Sequence, residues 1–222
     1  MKALINLLGV LLSTSILGGC ITASIEDERV ETTGLLVGES VVVMAKSYHQ
    51  GNETEADYIR CIEKALGKGK GAVRVIPTQQ FVDNLFPWFE PRTAPADTKG
   101  LVTLMTRPGV PAAVAKMGVR YIVWLDGGTE RVTQGGSLSC AAGPGGGGCF
   151  GFAWWQDDSD YEASIWDLAD SESAGTVTAD YTGTSFLPAL VVPIPLIART
   201  QSKACNGLAK QLKTFIVSTE AV

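Results

Sequence analysis

Val110-Pro111-Ala112-Ala113-Val114-Ala115-Lys116-Met117-Gly118-Val119-Arg120-Tyr121-Ile122-Val123-Trp124-Leu125 contains a complete helix–stop–strand unit. Pro111 stands in the first helical turn, where its missing N–H is not needed. Gly118 supplies the stop, and the β-branched and aromatic run from Val119 to Leu125 predicts a buried strand. Upstream, Glu39 to Ala45 is a second apolar, β-branched run. From Ala56 to Leu66 the apolar positions Tyr58, Ile59, Ile62, Ala65 and Leu66 follow helical spacing, with Gly67 behind them. Ala72 to Ile76 reads as a strand, and Thr78 caps a short helix through about Leu85. Phe86 to Pro108 reads as an irregular passage. The first half is therefore βαβαβ. That order predicts an α/β (α+β) fold in three layers, with a mixed, partly parallel sheet and covering helices.

The second half changes period. Glu130 to Thr133 leads into a glycine-rich loop, and Phe150 to Trp155 leads out of it. Tyr161 to Leu168 and Ala174 to Ser185, joined by the turn Ala169 to Ser173, predict an antiparallel meander. Pro188 to Pro195 is apolar but too rich in proline for a central strand. Ser202 to Val217 places Cys205, Leu208, Leu212 and Phe215 on one face of a C-terminal amphipathic helix.

Composition bounds the function. The 222 residues hold 18 Lys+Arg against 23 Asp+Glu, a net charge of −5, so nucleic-acid binding through a basic face is not expected. A hydrophobic share of 45% argues against a mostly disordered chain. Met1-Lys2 precedes the apolar stretch Ala3 to Leu17, which is shorter than the roughly 20 residues of a membrane-spanning helix. It reads as a secretory signal. The segment ends Leu17-Gly18-Gly19-Cys20, which resembles the lipobox of bacterial lipoproteins. That resemblance implies cleavage before Cys20 and acylation of its thiol and new amino group. Ile21 is not the aspartate associated with inner-membrane retention, so the periplasmic face of the outer membrane is the expected site. Residues 1–19 would then be the signal peptide, 20–37 a lipidated tether, and 38–217 a single periplasmic domain with a Cys-bracketed hairpin at 138–155. The mature chain would carry −6, and the whole-chain mean hydropathy of +0.16 partly reflects the discarded signal.

With Cys20 lipidated, Cys61, Cys140, Cys149 and Cys205 remain. Four thiols in an oxidising compartment predict two disulfides, for which three connectivities exist. The preferred pairing is Cys140 with Cys149, across the flexible loop they bracket, and Cys61 with Cys205, joining the first helix to the last. A zinc site is the alternative, but no CxxC occurs and the single histidine is His49.

The phrase from Ala112 to Trp124 is similar to a helix–glycine–strand element of periplasmic lipoproteins of the curli-secretion-channel type and of the amino-terminal domain of TolB-like proteins. Ser164-Ile165-Trp166-Asp167-Leu168, followed by Gly175-Thr176-Val177, resembles the strand–turn–strand that those domains show next. The resemblance spans residues 38–217. It implies a small α/β domain working in envelope assembly, secretion or stress-related complexes through protein contacts rather than catalysis. Curli-type channels carry long membrane-spanning hairpins. Here each arm beside the glycine run reads as shorter than the roughly 9–11 residues of a transmembrane strand, so no pore is expected.

Catalytic and cofactor signals are weak. Gly143-Pro144-Gly145-Gly146-Gly147-Gly148 formally matches G-x-G-x-x-G, but Cys149-Phe150-Gly151-Phe152 after it favours a strand over the phosphate-receiving helix. No cofactor is expected. His49 has no nucleophile elbow to serve and reads as a loop residue. Asp157, Asp158, Asp160 and Glu162 lack the glycine and spacing of an EF-hand and read as a solvated turn, so no metal site is expected. The candidate partner-binding residues are apolar: Phe150, Phe152, Trp154 and Trp155 beside the glycine tip, and Val191, Val192 and Ile194 in the proline-rich ledge. The expected protein is an outer-membrane-anchored, non-catalytic component of an envelope assembly. Its expected partners are the membrane, envelope proteins and further copies of itself. The alternative is a periplasmic ligand-binding protein or envelope hydrolase with a site assembled from distant residues.

Overall fold

The structure is a computed structural model that describes residues 20–45, 54–90 and 92–217. The signal peptide expected at 1–19 and His49 lie outside the described residues. The elements run β1 (Cys20–Arg29), β2 (Ser40–Ala45), α1 (Ala56–Leu66), β3 (Val75–Ile76), α2 (Thr78–Asn84), α3 (Thr98–Met105), α4 (Val110–Met117), β4 (Val119–Gly143), β5 (Gly146–Asp167), β6 (Glu172–Val191) and α5 (Thr200–Val217). The fold is α/β, with one mixed six-stranded sheet in the order β1-β6-β5-β4-β2-β3. Strand β2 lies parallel to both β3 and β4, pairing Val41 with Val75 and Val43 with Val123. Tight turns join β4, β5 and β6 as an antiparallel meander.

Two compact units divide these elements. The first takes residues from 23–129, 159–181 and 201 onward. Its sheet is buried on both sides because alternate residues of β2 and β4 point to opposite faces. Val42, Met44, Ile122 and Trp124 pack with Phe81, Leu101, Leu104, Val110 and Val114 of α2, α3 and α4. Val41, Val43, Tyr121 and Val123 on the other face are also buried, as are Tyr58 and Ile62 of α1 and Cys205, Leu208, Leu212 and Phe215 of α5. The Cys61–Cys205 disulfide ties α1 to α5. Gly118, in the left-handed region at φ 68°, ends α4 as its position implies.

The second unit takes Cys20–Thr22, Glu130–Asp158 and Thr182–Thr200. It contains the β4–β5 hairpin tip, which the Cys140–Cys149 disulfide closes across the two strands.

Several expectations are corrected. Cys20–Arg29, read as part of a tether, is strand β1, an edge strand beside β6. Helix α3 occupies part of the passage read as irregular. Asp97 caps it by accepting from the Gly100 N–H at 2.7 Å, and Leu101 and Leu104 bury its inner face. Strands β4 and β5, at 25 and 22 residues, are far longer than the arms inferred around the glycine run. The length argument against a membrane-spanning hairpin therefore falls. Composition still opposes one, because Glu130, Arg131, Gln134 and Ser137 leave neither face of this part of β4 continuously apolar. The acidic set Asp157, Asp158 and Asp160 lies within β5 rather than in a turn. Finally, β6 continues through Pro188 to Val191, where the isolated bridges Phe186–Leu196 and Ala189–Pro193 double the ledge back on itself.

Candidate functional site

The aromatics of β5 are divided. Phe150 and Phe152 line one groove, whereas Trp154 and Trp155 make separate contacts. Phe150 is 73% exposed and Phe152 46% exposed. Phe152 stacks on Phe186 of β6 with ring centroids 5.9 Å apart. Trp154 lies across Gly135, whose missing side chain makes room for the indole. Trp155 is fixed differently: its indole N–H donates to Asp157 Oδ2 at 3.0 Å, and the Arg131 guanidinium sits 5.1 Å from its ring centre. Arg131 also pairs with Asp157 at 3.1 Å. Trp155 is thus part of a polar clamp rather than of the exposed apolar face.

The ledge after β6 completes that face. Val191, Val192 and Ile194 are exposed, as is Leu190 at 80%, which the sequence reading did not single out. The Gly148 backbone lies against Val191, so the hairpin tip and the ledge touch directly. Together, Phe150 and Phe152 with residues 188–192 and Ile194 line a groove of about 690 Å³, to which no charged side chain among the described residues contributes. Two stretches 40 residues apart in sequence make one surface because β6 pairs beside β5. Cys20, the free cysteine among the described residues, is exposed at the start of β1 and belongs to the same unit.

A polar cluster lies in the other unit. Tyr161 donates to Glu55 Oε2 at 2.9 Å, and the Thr129 N–H donates to Glu55 Oε1 at 2.9 Å. Thr129 Oγ1 is 2.8 Å from Ser159 Oγ. Tyr58 stacks on Tyr161 with centroids 3.5 Å apart. Burial pushes the phenol of Tyr161 up to about 12, with Glu55 adding to the effect and Thr129 and Gln201 opposing it. Burial raises Tyr58 too. A phenol held neutral acts as a hydrogen-bond donor rather than as a base. The cluster therefore orients Glu55 and joins α1 to β4 and β5. Among the described residues, no group of three or more His, Cys, Asp or Glu side chains is placed to hold a metal ion. No described helix is long and apolar enough to cross a membrane.

No family model matches the chain, and no curated protein matches it. Among solved structures, two PelC dodecamers from Paraburkholderia phytofirmans are similar. One, a single-substitution variant, is 14% identical at a TM-score of 0.37, covering 90% of this chain and 99% of that one. The other is 12% identical at a TM-score of 0.39, covering 89% and 99%.

Proposed function

We propose that the chain is an outer-membrane-anchored lipoprotein, a non-catalytic component of an envelope assembly. In this reading Cys20 carries acyl chains, and the apolar groove of the hairpin unit seats in the bilayer surface. The resemblance to curli-channel and TolB-type domains belongs to the same proposal: an envelope domain that acts through contacts with other envelope proteins and with its own copies.

One observation carries the membrane seat. Phe150 and Phe152 meet residues 188–194 in a single exposed groove without a charged side chain among the described residues, in the unit that contains Cys20. A protein interface normally rims its apolar centre with polar and charged groups, whereas a lipid contact rewards apolar area alone. Burying one Phe, Leu, Val or Ile side chain is worth about 1.5–3 kcal/mol. Several together give appreciable affinity even without the acyl chains, and one acyl chain alone holds a protein only marginally.

The test is flotation of the full chain with phosphatidylcholine vesicles. The Cys20→Ser chain without residues 1–19 should float weakly but measurably, and adding Phe150→Ser and Leu190→Ser should abolish flotation. Flotation of Cys20→Ser that ignores those two substitutions, or fails altogether, defeats the membrane seat. Radiolabelled palmitate should enter the wild-type chain and not Cys20→Ser.

A further inference from the structure

A second groove, of about 830 Å³, lies between α1 and α5 in the first unit. Its rim carries Lys64, Lys68 and Lys70 from α1 and the turn after it, and Lys210 and Lys213 from α5. Among the described residues, no carboxylate and no arginine lines it. In a chain of net charge −5, five of 18 cationic side chains have gathered around one concavity. None of the five enters an ion pair among the described residues. Between the lysines the lining is mostly apolar, with Cys61 of the interhelical disulfide, Ala65, Ala209 and Val217, beside the polar Asn206 and Thr214. Lys213 donates to the carbonyl of Lys68, which ties the C-terminal half of α5 to the turn after α1.

We infer that this groove binds a single anionic amphiphile, with a phosphate head held by the lysine rim and a short hydrocarbon portion on the apolar lining. Both halves of the ligand follow from the lining. Like charges brought together without counterions repel one another, and an anion among them relieves that repulsion. Lysine ammonium groups hold phosphate as mobile point charges, free to follow its three oxygens. Free phosphate would engage the lysines and leave the apolar side chains of Ala65, Ala209 and Val217 uncovered. The disulfide and the Lys213 contact hold the two walls in place before any ligand arrives, which lowers the ordering cost of binding.

The experiment titrates the full chain with monomeric dihexanoylphosphatidylglycerol, with dihexanoylphosphatidylcholine and with inorganic phosphate, following the backbone amide resonances of residues 64–71 and 206–217. The phosphatidylglycerol should bind saturably and at least tenfold more tightly than either of the others. Each of Lys68→Gln and Lys210→Gln should weaken it roughly fivefold, about the worth of one lysine beside an anionic headgroup. Equal affinity for phosphatidylcholine would mean the apolar lining acts alone, and equal affinity for phosphate would mean simple ion condensation. Either result overturns the proposal. So would lysine substitutions that leave lipid binding unchanged but lower the mass in light scattering. That outcome would assign the groove to a second copy, whose Glu26 and Glu28 on β1 supply the opposite charge. Phe150→Ser and Leu190→Ser should leave this binding intact, so it stands or falls separately from the membrane seat.

Discussion

Tyr161 shows how one buried side chain sets a pH response. Its phenol is held up to about 12, chiefly by burial, while an unfolded tyrosine ionises near 10. Between about pH 10 and 12 the unfolded chain loses a proton that the folded chain keeps. This contribution to stability is complete below pH 10 and falls as pH rises toward the folded value. Denaturant midpoints should accordingly drop more steeply with pH in the wild type than in Tyr161→Phe, and equal slopes would refute this role. Arg29 is a second residue with several duties. It stacks 4.2 Å over the Phe215 ring, donates to the Phe215 carbonyl at 3.0 Å and lies 3.4 Å from Asp27. The Phe215 carbonyl belongs to the last turn of α5, which has no intrahelical partner. Arg29→Ala should lower stability by about 1–2 kcal/mol. It should also speed amide exchange in that turn, and Arg29→Lys should recover only part, because an ammonium cannot stack as a guanidinium does.

At the scale of elements, glycines decide how β4 and β5 remain paired over such lengths. Gly136, at φ 92°, would drive a Cβ into the carbonyl of Phe152, and Gly151, at φ 142°, would drive one into that of Ser137. At these positions the neighbouring strand's backbone comes too close for any side chain. Gly136→Ala should destabilise the protein by about 2 kcal/mol or more. Gly143→Ala, with open space around it, should stay within about 0.5 kcal/mol; similar losses at both sites would show that close approach is not the cause. These same glycines explain why the long strands were hard to read. Gly127-Gly128, Gly135-Gly136 and Gly151 break period-2 alternation, so one continuous hairpin reads as short strands separated by loops. Helix α3 was hidden for a related reason: Gly100 and the neighbouring Pro91 and Pro95 suppress its helical signal, although Asp97 and the Leu101–Leu104 spacing carried it.

Across the whole molecule, two disulfides close loops of very different size. Cys61 and Cys205 are 144 residues apart and Cys140 and Cys149 are nine apart. Chain-entropy reasoning assigns about 5 kcal/mol to the first and about 3 kcal/mol to the second. Cys61→Ala with Cys205→Ala should therefore lower the denaturation free energy more than Cys140→Ala with Cys149→Ala, and the reverse order would mean native-state strain or residual structure dominates. Both pairings were legible because Cys61 and Cys205 each lie in a helical pattern at opposite ends of the chain, and the glycine loop left Cys140 and Cys149 free to meet. The βαβαβ core was legible too, since a strand buried on both faces must be apolar throughout and a helix covering it must repeat every 3.6 residues. Local periodicity thus determined β2, the apolar start of β4, helices α1, α4 and α5, and where α4 stops. Only the tertiary structure decided the rest. Tertiary pairing brings the hairpin and the proline-rich ledge into one groove, makes β1 an edge strand rather than a tether, and gathers five lysines around α1 and α5. The physical reason is that these features depend on which strands and helices become neighbours. That is set by long-range burial and backbone pairing, which leave no periodic mark on the chain.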